Sequence, residues 1–177
     1  MIANAGISNY FGKATVTPAA EMLSHFKINT VAPLLLFQAT FPLLNNAPNP
    51  KFITITSGAG SIGNMGNLPV ENTAYGSSKA AANFVTRKIH FENPNLIAFP
   101  VQPGWLQTDV SQVGPDPVAR DLLLHQLGNH AAVGAGMEAA PMSVEDGVKG
   151  IINQIDNATK EKISGTFVTF NGEPLGW

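Results

Sequence analysis

Tyr75 and Lys79, four residues apart, are the first place in this sequence where side-chain types and spacing could do chemistry. On a helix they share one face, about one turn from each other. A lysine ammonium beside a phenol favours the phenolate, so the tyrosine pKa is expected to fall from its usual ~10 toward working pH. A phenol tuned that way is a general acid able to protonate a carbonyl oxygen, and a base for the reverse reaction. Gly76, Ser77 and Ser78 are expected to leave space beside the pair for a bulky cofactor. Taken alone, the same spacing also describes a solvated i,i+4 contact.

The elements around the pair give it company. Thr73 to Val85 reads as a helix, because alanines follow Lys79 and apolar positions recur at helical spacing. Upstream, Lys51-Phe52-Ile53-Thr54-Ile55-Thr56 is the clearest strand, β-branched and aromatic and bounded by Pro50 and glycines. It delivers Ser57 at its C-terminal end, where ligands bind in open α/β sheets. Gly58-Ala59-Gly60-Ser61-Ile62-Gly63 then spells a dinucleotide fingerprint, but no helix opens behind it to hold a pyrophosphate. Gly134 to Ala139 repeats the false match, with Pro141 close behind.

A long helical pattern runs from Ala19 to Leu44, with Thr17 as N-cap and Pro18 at the first helical position. Pro33 lies inside it and removes the hydrogen bond to the carbonyl four residues earlier, that of Asn29. The Asn29 main-chain carbonyl is therefore expected to be free to bind a water at a local kink. The alternative is a helix that bends around the core at Pro33, with Asn29 incidental. Met1 to Gly6 reads as the end of a buried strand entering a glycine turn without lead-in, the first sign of a missing N-terminal part.

After the Tyr75 helix come a turn at Asn93-Pro94-Asn95 and a strand from Leu96 to Val101, in which Pro100 is awkward for an interior position. Gln102 to Asp109 reads as a turn leaving that strand. Val110 to Met142 is ambiguous, with a helix over Pro117 to Leu127 and a glycine- and alanine-rich lid as readings. Ser143 caps a helix with Asp146 at N3 and a buried stripe of Val148, Ile151, Ile152 and Ile155. Gly165 to Phe170 is a final strand, followed by a turn at Asn171-Gly172. Alternating strand and helix predicts an α/β fold with a parallel sheet.

Composition narrows the function classes. The 177 residues are 44% hydrophobic and 12% charged, yet no apolar run approaches the ~18 residues of a membrane span. The longest such patch, Val31 to Phe37, contains a proline within the helical pattern. A net charge of -2 without a basic cluster argues against nucleic acid as a partner. Zero cysteines exclude disulfides and thiolate metal sites, and with no signal-peptide pattern a cytoplasmic location is expected. His25, His90, His125 and His130 show no metal-ligand spacing with carboxylates, so no metal is expected.

Asn4-Ala5-Gly6, Asn29, Ser57, Tyr75-x-x-x-Lys79 and Pro103-Gly104-x-x-x-Thr108 occur in the order and rough spacing of the short-chain dehydrogenase/reductase family, which the chain resembles from end to end. Ile2 to Ile7, Gln102 to Trp105 and the ending Gly165-Thr166-Phe167 to Trp177 are similar to its carbonyl-reductase branch and to fungal ketoreductases. The resemblance implies Tyr75 as general acid, Lys79 lowering its pKa and holding the nicotinamide ribose, and Ser57 orienting and polarising the substrate carbonyl, with Ser61 as the alternative. It implies that the Asn29 carbonyl holds a water linking Lys79 to solvent. Asn4, Ala5 and Gly6 would shape the cofactor cleft, and Pro103, Gly104 and Thr108 would line the nicotinamide. The implied reaction is hydride transfer between NADP(H), with NAD(H) as the other choice, and a small-molecule carbonyl or alcohol.

The implied fold is a Rossmann-like, doubly wound parallel sheet. Of the family order 3-2-1-4-5-6-7, only strands 4-5-6-7 and their helices are expected here, as one partial domain over residues 1–177 with the strand at Met1–Ala5 an open edge. A homodimer through the two long helices, Ala19–Leu44 and Tyr75–Phe91, is a further implication. Lacking the first βαβ units, the chain is expected to turn over weakly or to be a non-catalytic remnant acting through protein contacts.

Overall fold

In the computed structural model, residues 1–67, 71–107 and 142–177 are described. Four strands, β1 (Ile2–Ala3), β2 (Lys51–Ile55), β3 (Ile97–Gln102) and β4 (Val168–Thr169), form one sheet in the order β1-β2-β3-β4. Every pairing is parallel, with Ile2 opposite Ile53, Phe52 opposite Ala98 and Val101 opposite Val168. Parallel neighbours cannot be joined by tight turns, so helices cross between them. These are α1 (Ala19–Phe26), α2 (Ala32–Asn45), α3 (Thr73–Glu92) and α4 (Val144–Asp156).

Side chains alternate across β2, and the two faces feed two cores. Phe52 packs with Ala3, Ile89, Leu96 and Ala98 beneath α2 and α3, and its ring meets Phe37 of α2 edge-on at 5.2 Å. Ile53 packs on the opposite face with Phe99, Val101 and Ile151 of α4. Full burial of a ring such as Phe52 stabilises by about 2–3 kcal/mol. The expected α/β architecture and four-strand order are therefore what the chain adopts. On the outer side of β1 no strand pairs among the described residues, and Met1 and Ile2 are exposed there.

Four local expectations change. Pro18 is itself the N-cap of α1, and the Thr17 hydroxyl instead donates back to the Gly12 and Lys13 carbonyls. Between α1 and α2 the helix is π-wound over Lys27–Val31, with the Ala32 N–H reaching back to the Lys27 carbonyl. The irregularity thus lies just ahead of Pro33, which has no N–H to donate back into the π-wound turn that holds Asn29. Pro100 is fully buried in the interior strand β3. The Ile97 N–H faces β2 and the Ala98 N–H faces away from it, so the nitrogen of Pro100 also faces β4, whose ladder begins only at Val101. No ladder bond is lost.

On α4, Ser143 caps as expected, accepting from the Asp146 N–H at 3.1 Å. Of the expected stripe, Ile151 is buried and Ile155 packs on the core, whereas Val148 and Ile152 are exposed.

The continuous helix Ala19–Asn45 is long and apolar enough, at a mean hydropathy of 1.2, to cross a membrane by length and composition. Its inner face carries buried His25, Asn29 and Thr30, and the last two bond to the loop after β1 and to α3. That is a helix built into the domain. The expected helix over Pro117 to Leu127, the lid, the second glycine motif, His125 and His130 lie outside the described residues.

Candidate active site

β2 ends at Ile55 and hands Ser57 to the C-terminal edge of the sheet, the side on which an open α/β sheet binds ligands. The rejected glycine motif forms a short 3-10 turn, Gly58–Gly60, capped by the Ser57 hydroxyl, which accepts from the Ala59 N–H. Its glycines serve closeness. A Cβ on Gly60 would stand 2.7 Å from the Lys79 carbonyl carbon, and one on Gly76 would stand 2.9 Å from the Ala59 oxygen. The turn therefore lies directly against the backbone of α3 and sets Ser57 near enough to Tyr75 for its hydroxyl to favour the phenolate. Ser61, the alternative to Ser57, is fully buried and donates to the Gly176 carbonyl at 2.6 Å. It is committed elsewhere.

Tyr75 and Lys79 do share one face of α3, with the Lys79 ammonium 5.7 Å from the Tyr75 ring centroid. The expected depression of the tyrosine pKa is reversed. Burial raises it above 10.0, and the nearby Ser57 hydroxyl opposes the rise. Lys79 yields instead: burial lowers its pKa from 10.5 to about 8. The ammonium lies 5.7 Å from the ring centroid and donates to the Ile55 carbonyl at 3.1 Å, and burial rather than its charge sets the direction at Tyr75. At neutral pH this pair is a protonated phenol beside a cation that is readily discharged.

Protein fills the space expected beside the pair. Gly76 receives the Ala59 carbonyl, the Ser77 hydroxyl donates to Thr73 O at 2.6 Å, and the Ser78 hydroxyl donates to Tyr75 O at 2.7 Å. On another side Lys79 packs closely against Gly6. A Cβ there would lie 3.2 Å from Lys79 Nζ and 3.1 Å from Asn29 Oδ1.

Asn29 is nearly fully buried, and its side chain does work that the sequence reading missed. Its Oδ1 accepts from the Ile7 N–H at 2.8 Å, while its Nδ2 donates to Ile7 O at 2.9 Å and to Ser78 Oγ at 3.0 Å. The amide thus ties the turn after β1 to α3. A signal was available: an asparagine inside an apolar helix must satisfy its amide internally if it is buried.

Gly6, Asn29, Ser57, Tyr75 and Lys79 therefore meet in one place. Asn4 and Ala5 are exposed where β1 ends, at the same edge of the sheet. Pro103 and Gly104 follow β3 there, Gly104 at φ 89°, with the Pro103 carbonyl against Gly147 of α4. Thr108 lies outside the described residues. Among the described residues no group of three or more histidines and carboxylates could hold a metal.

Two kinds of known protein are similar to this chain. Norsolorinic acid ketoreductase of Aspergillus parasiticus is 39% identical over 180 residues, covering 100% of this chain and 60% of that protein. The Emericella nidulans norsolorinic acid ketoreductase is 36% identical over 181 residues, covering 100% and 62%. The chain thus spans about three fifths of the length of these curated relatives. Among solved structures, the carbonyl reductase Sniffer of D. melanogaster superposes with a TM-score of 0.76 at 26% identity, covering 99% of this chain and 65% of that one. An NADPH-bound carbonyl reductase from chicken fatty liver gives 0.78 at 26%, covering 99% and 64%. The family model described as short chain dehydrogenase matches residues 1–116, the span that holds Gly6, Asn29, Ser57, Tyr75 and Lys79. With the sheet order and the clustered residues, that match carries the conclusion that this chain belongs to the short-chain dehydrogenase family.

Proposed function

We propose that the protein is an oxidoreductase that reduces a small-molecule ketone or aldehyde to an alcohol, with NADP(H) as its cofactor and NAD(H) as the other choice. The observation that carries the reading is the convergence of Ser57, Tyr75 and buried Lys79 at one sheet edge. The cofactor fit rests on the donor set. An ammonium has three N–H donors, Lys79 uses one on Ile55 O, and Gly6 lets the turn after β1 close in on the ammonium where any side chain would crowd it. Lys79 and Tyr75 would hold the nicotinamide ribose, with Asn4, Ala5, Gly6, Pro103, Gly104 and Thr108 around the cleft. When bound, the nicotinamide supplies the hydride.

The chain's own residues do the rest. The Ser57 hydroxyl donates to the carbonyl oxygen and fixes its direction. Tyr75, kept protonated by burial, gives its phenolic proton to that oxygen as the carbonyl carbon is reduced. The Lys79 ammonium offsets the phenolate left behind, and a water on the Asn29 carbonyl returns a proton from solvent. Exposed Leu23, Leu35, Leu43, Phe84 and Phe91 on the two long helices support pairing of two copies, which sedimentation would read directly.

The test is a titration of the 177-residue protein with NADPH and NADH, followed by nicotinamide fluorescence and calorimetry, then a ketone screen. Saturable binding with turnover that Tyr75→Phe abolishes is the expected result. A folded protein that binds neither nucleotide would overturn the enzyme reading and leave a non-catalytic remnant acting through protein contacts.

A further inference from the structure

The segment that follows β4 does not simply run off the domain. It turns at Asn171-Gly172, with Gly172 at φ 89°, and returns antiparallel to β4 through a bridge between Val168 and Pro174. The Leu175 N–H then donates to Phe167 O at 2.8 Å, which aims the last residues at the loop behind Ser57. Ser61 Oγ donates to Gly176 O at 2.6 Å, and the Gly63 N–H donates to Trp177 O at 2.6 Å. The Trp177 ring is pinned from two sides. The Arg87 guanidinium of α3 lies 4.4 Å from its centroid, and the Phe167 ring lies 5.9 Å away.

The loop needs such a hold. Ile62 and Met65 are exposed, and among the described residues the other hydrogen bonds of residues 61–67 are local ones, from Ser61 to Gly58, Asn64 to Ser61, Met65 to Ile62 and between Asn67 and Asn64. The same loop begins with the turn that presents Ser57 to Tyr75.

We propose that Trp177 is a positioning residue: its ring, held by Arg87 and Phe167, makes residues 175–177 a strap that fixes the loop at Ser61 and Gly63 and, through it, Ser57. The inference rests on the role proposed for Ser57, and the experiment separates the two.

Amide hydrogen exchange is measured in the 177-residue protein and in its Trp177→Ala, Trp177→Phe and Ser61→Ala variants. The Tyr75 phenol is titrated by ultraviolet difference spectroscopy in a Tyr10→Phe background, with Ser57→Ala as reference. Trp177→Ala is expected to speed Gly63 exchange at least tenfold while β2 amides stay protected. It should also move the Tyr75 titration upward, in the direction given by Ser57→Ala, and Trp177→Phe should restore both. Unchanged Gly63 exchange overturns the strap. So does a released loop whose Tyr75 titrates as in the parent while Ser57→Ala shifts it. If Ser57→Ala leaves Tyr75 unmoved, the Ser57 reading fails and Gly63 exchange alone decides the strap. Should Trp177→Ala not fold, Ser61→Ala, which removes the bond to Gly176 O and the one accepted from the Asn64 N–H but no packing, decides by the same readouts.

Discussion

Lys79→Met keeps most of the side-chain volume at the centre of the site and removes its charge. Burial holds the Lys79 pKa at about 8 against 10.5 in the unfolded chain. Near pH 7 the folded protein therefore carries a charged amine that burial disfavours by about 3 kcal/mol. Methionine relieves that cost but forfeits the hydrogen bond to Ile55 O, worth about 1 kcal/mol. The variant is expected to be about 2 kcal/mol more stable at pH 7, or about 4–8 °C in Tm for a chain of this size. The pH dependence is the sharper test. Between about pH 8 and 10.5 the unfolded lysine binds more protons than the folded one, so parent stability rises with pH through that window. Methionine has no such proton, so the gap between the two proteins closes as pH rises. Urea unfolding at pH 7, 9 and 10.5 reads both effects. A variant less stable at pH 7, or a gap that does not shrink, would refute the reasoning. The same substitution removes the cation beside Tyr75, so stability is gained where the proposed chemistry is lost.

Asn29→Ala leaves the Ile7 N–H and C=O and the Ser78 hydroxyl without their buried partner, and is expected to cost about 3 kcal/mol in urea unfolding. Gly60→Ala drives a Cβ into the α3 backbone at Lys79 and Ala80, which cannot step aside, for a loss of about 1–3 kcal/mol. Gly66→Ala, with nothing within 4 Å among the described residues, serves as the neutral control in the same assay. Ser57→Ala removes the hydroxyl that opposes the effect of burial on Tyr75, so the phenol titrates higher and ketone reduction falls about 10²–10³-fold in a steady-state assay. Ketone reduction by the parent is expected to decline as pH rises through about 8, where Lys79 loses its charge; a flat profile across pH 7–9 would count against its proposed role.

Much of this protein is legible in the chain itself, because the signals are local. The β-branched run Lys51–Ile55, the capped start of α4 at Ser143 and the turn at Asn171-Gly172 follow from backbone preference and side-chain geometry over a few residues. The i,i+4 spacing alone put Tyr75 and Lys79 on one face of a helix, and alternating strand and helix alone required a parallel sheet. Tertiary structure decided what depends on residues far apart in sequence. Ser57 rather than Ser61 faces Tyr75 because Gly176, 115 residues beyond Ser61, takes the Ser61 hydroxyl. Pro100 sits in an interior strand because β4 starts one residue too late to need its N–H. The direction of the Tyr75 shift reversed because desolvation depends on everything packed around the phenol, whereas spacing reports only the neighbouring charge. Residue spacing fixes which groups can meet along one element; only packing between elements fixes how dry they are and which partners they keep.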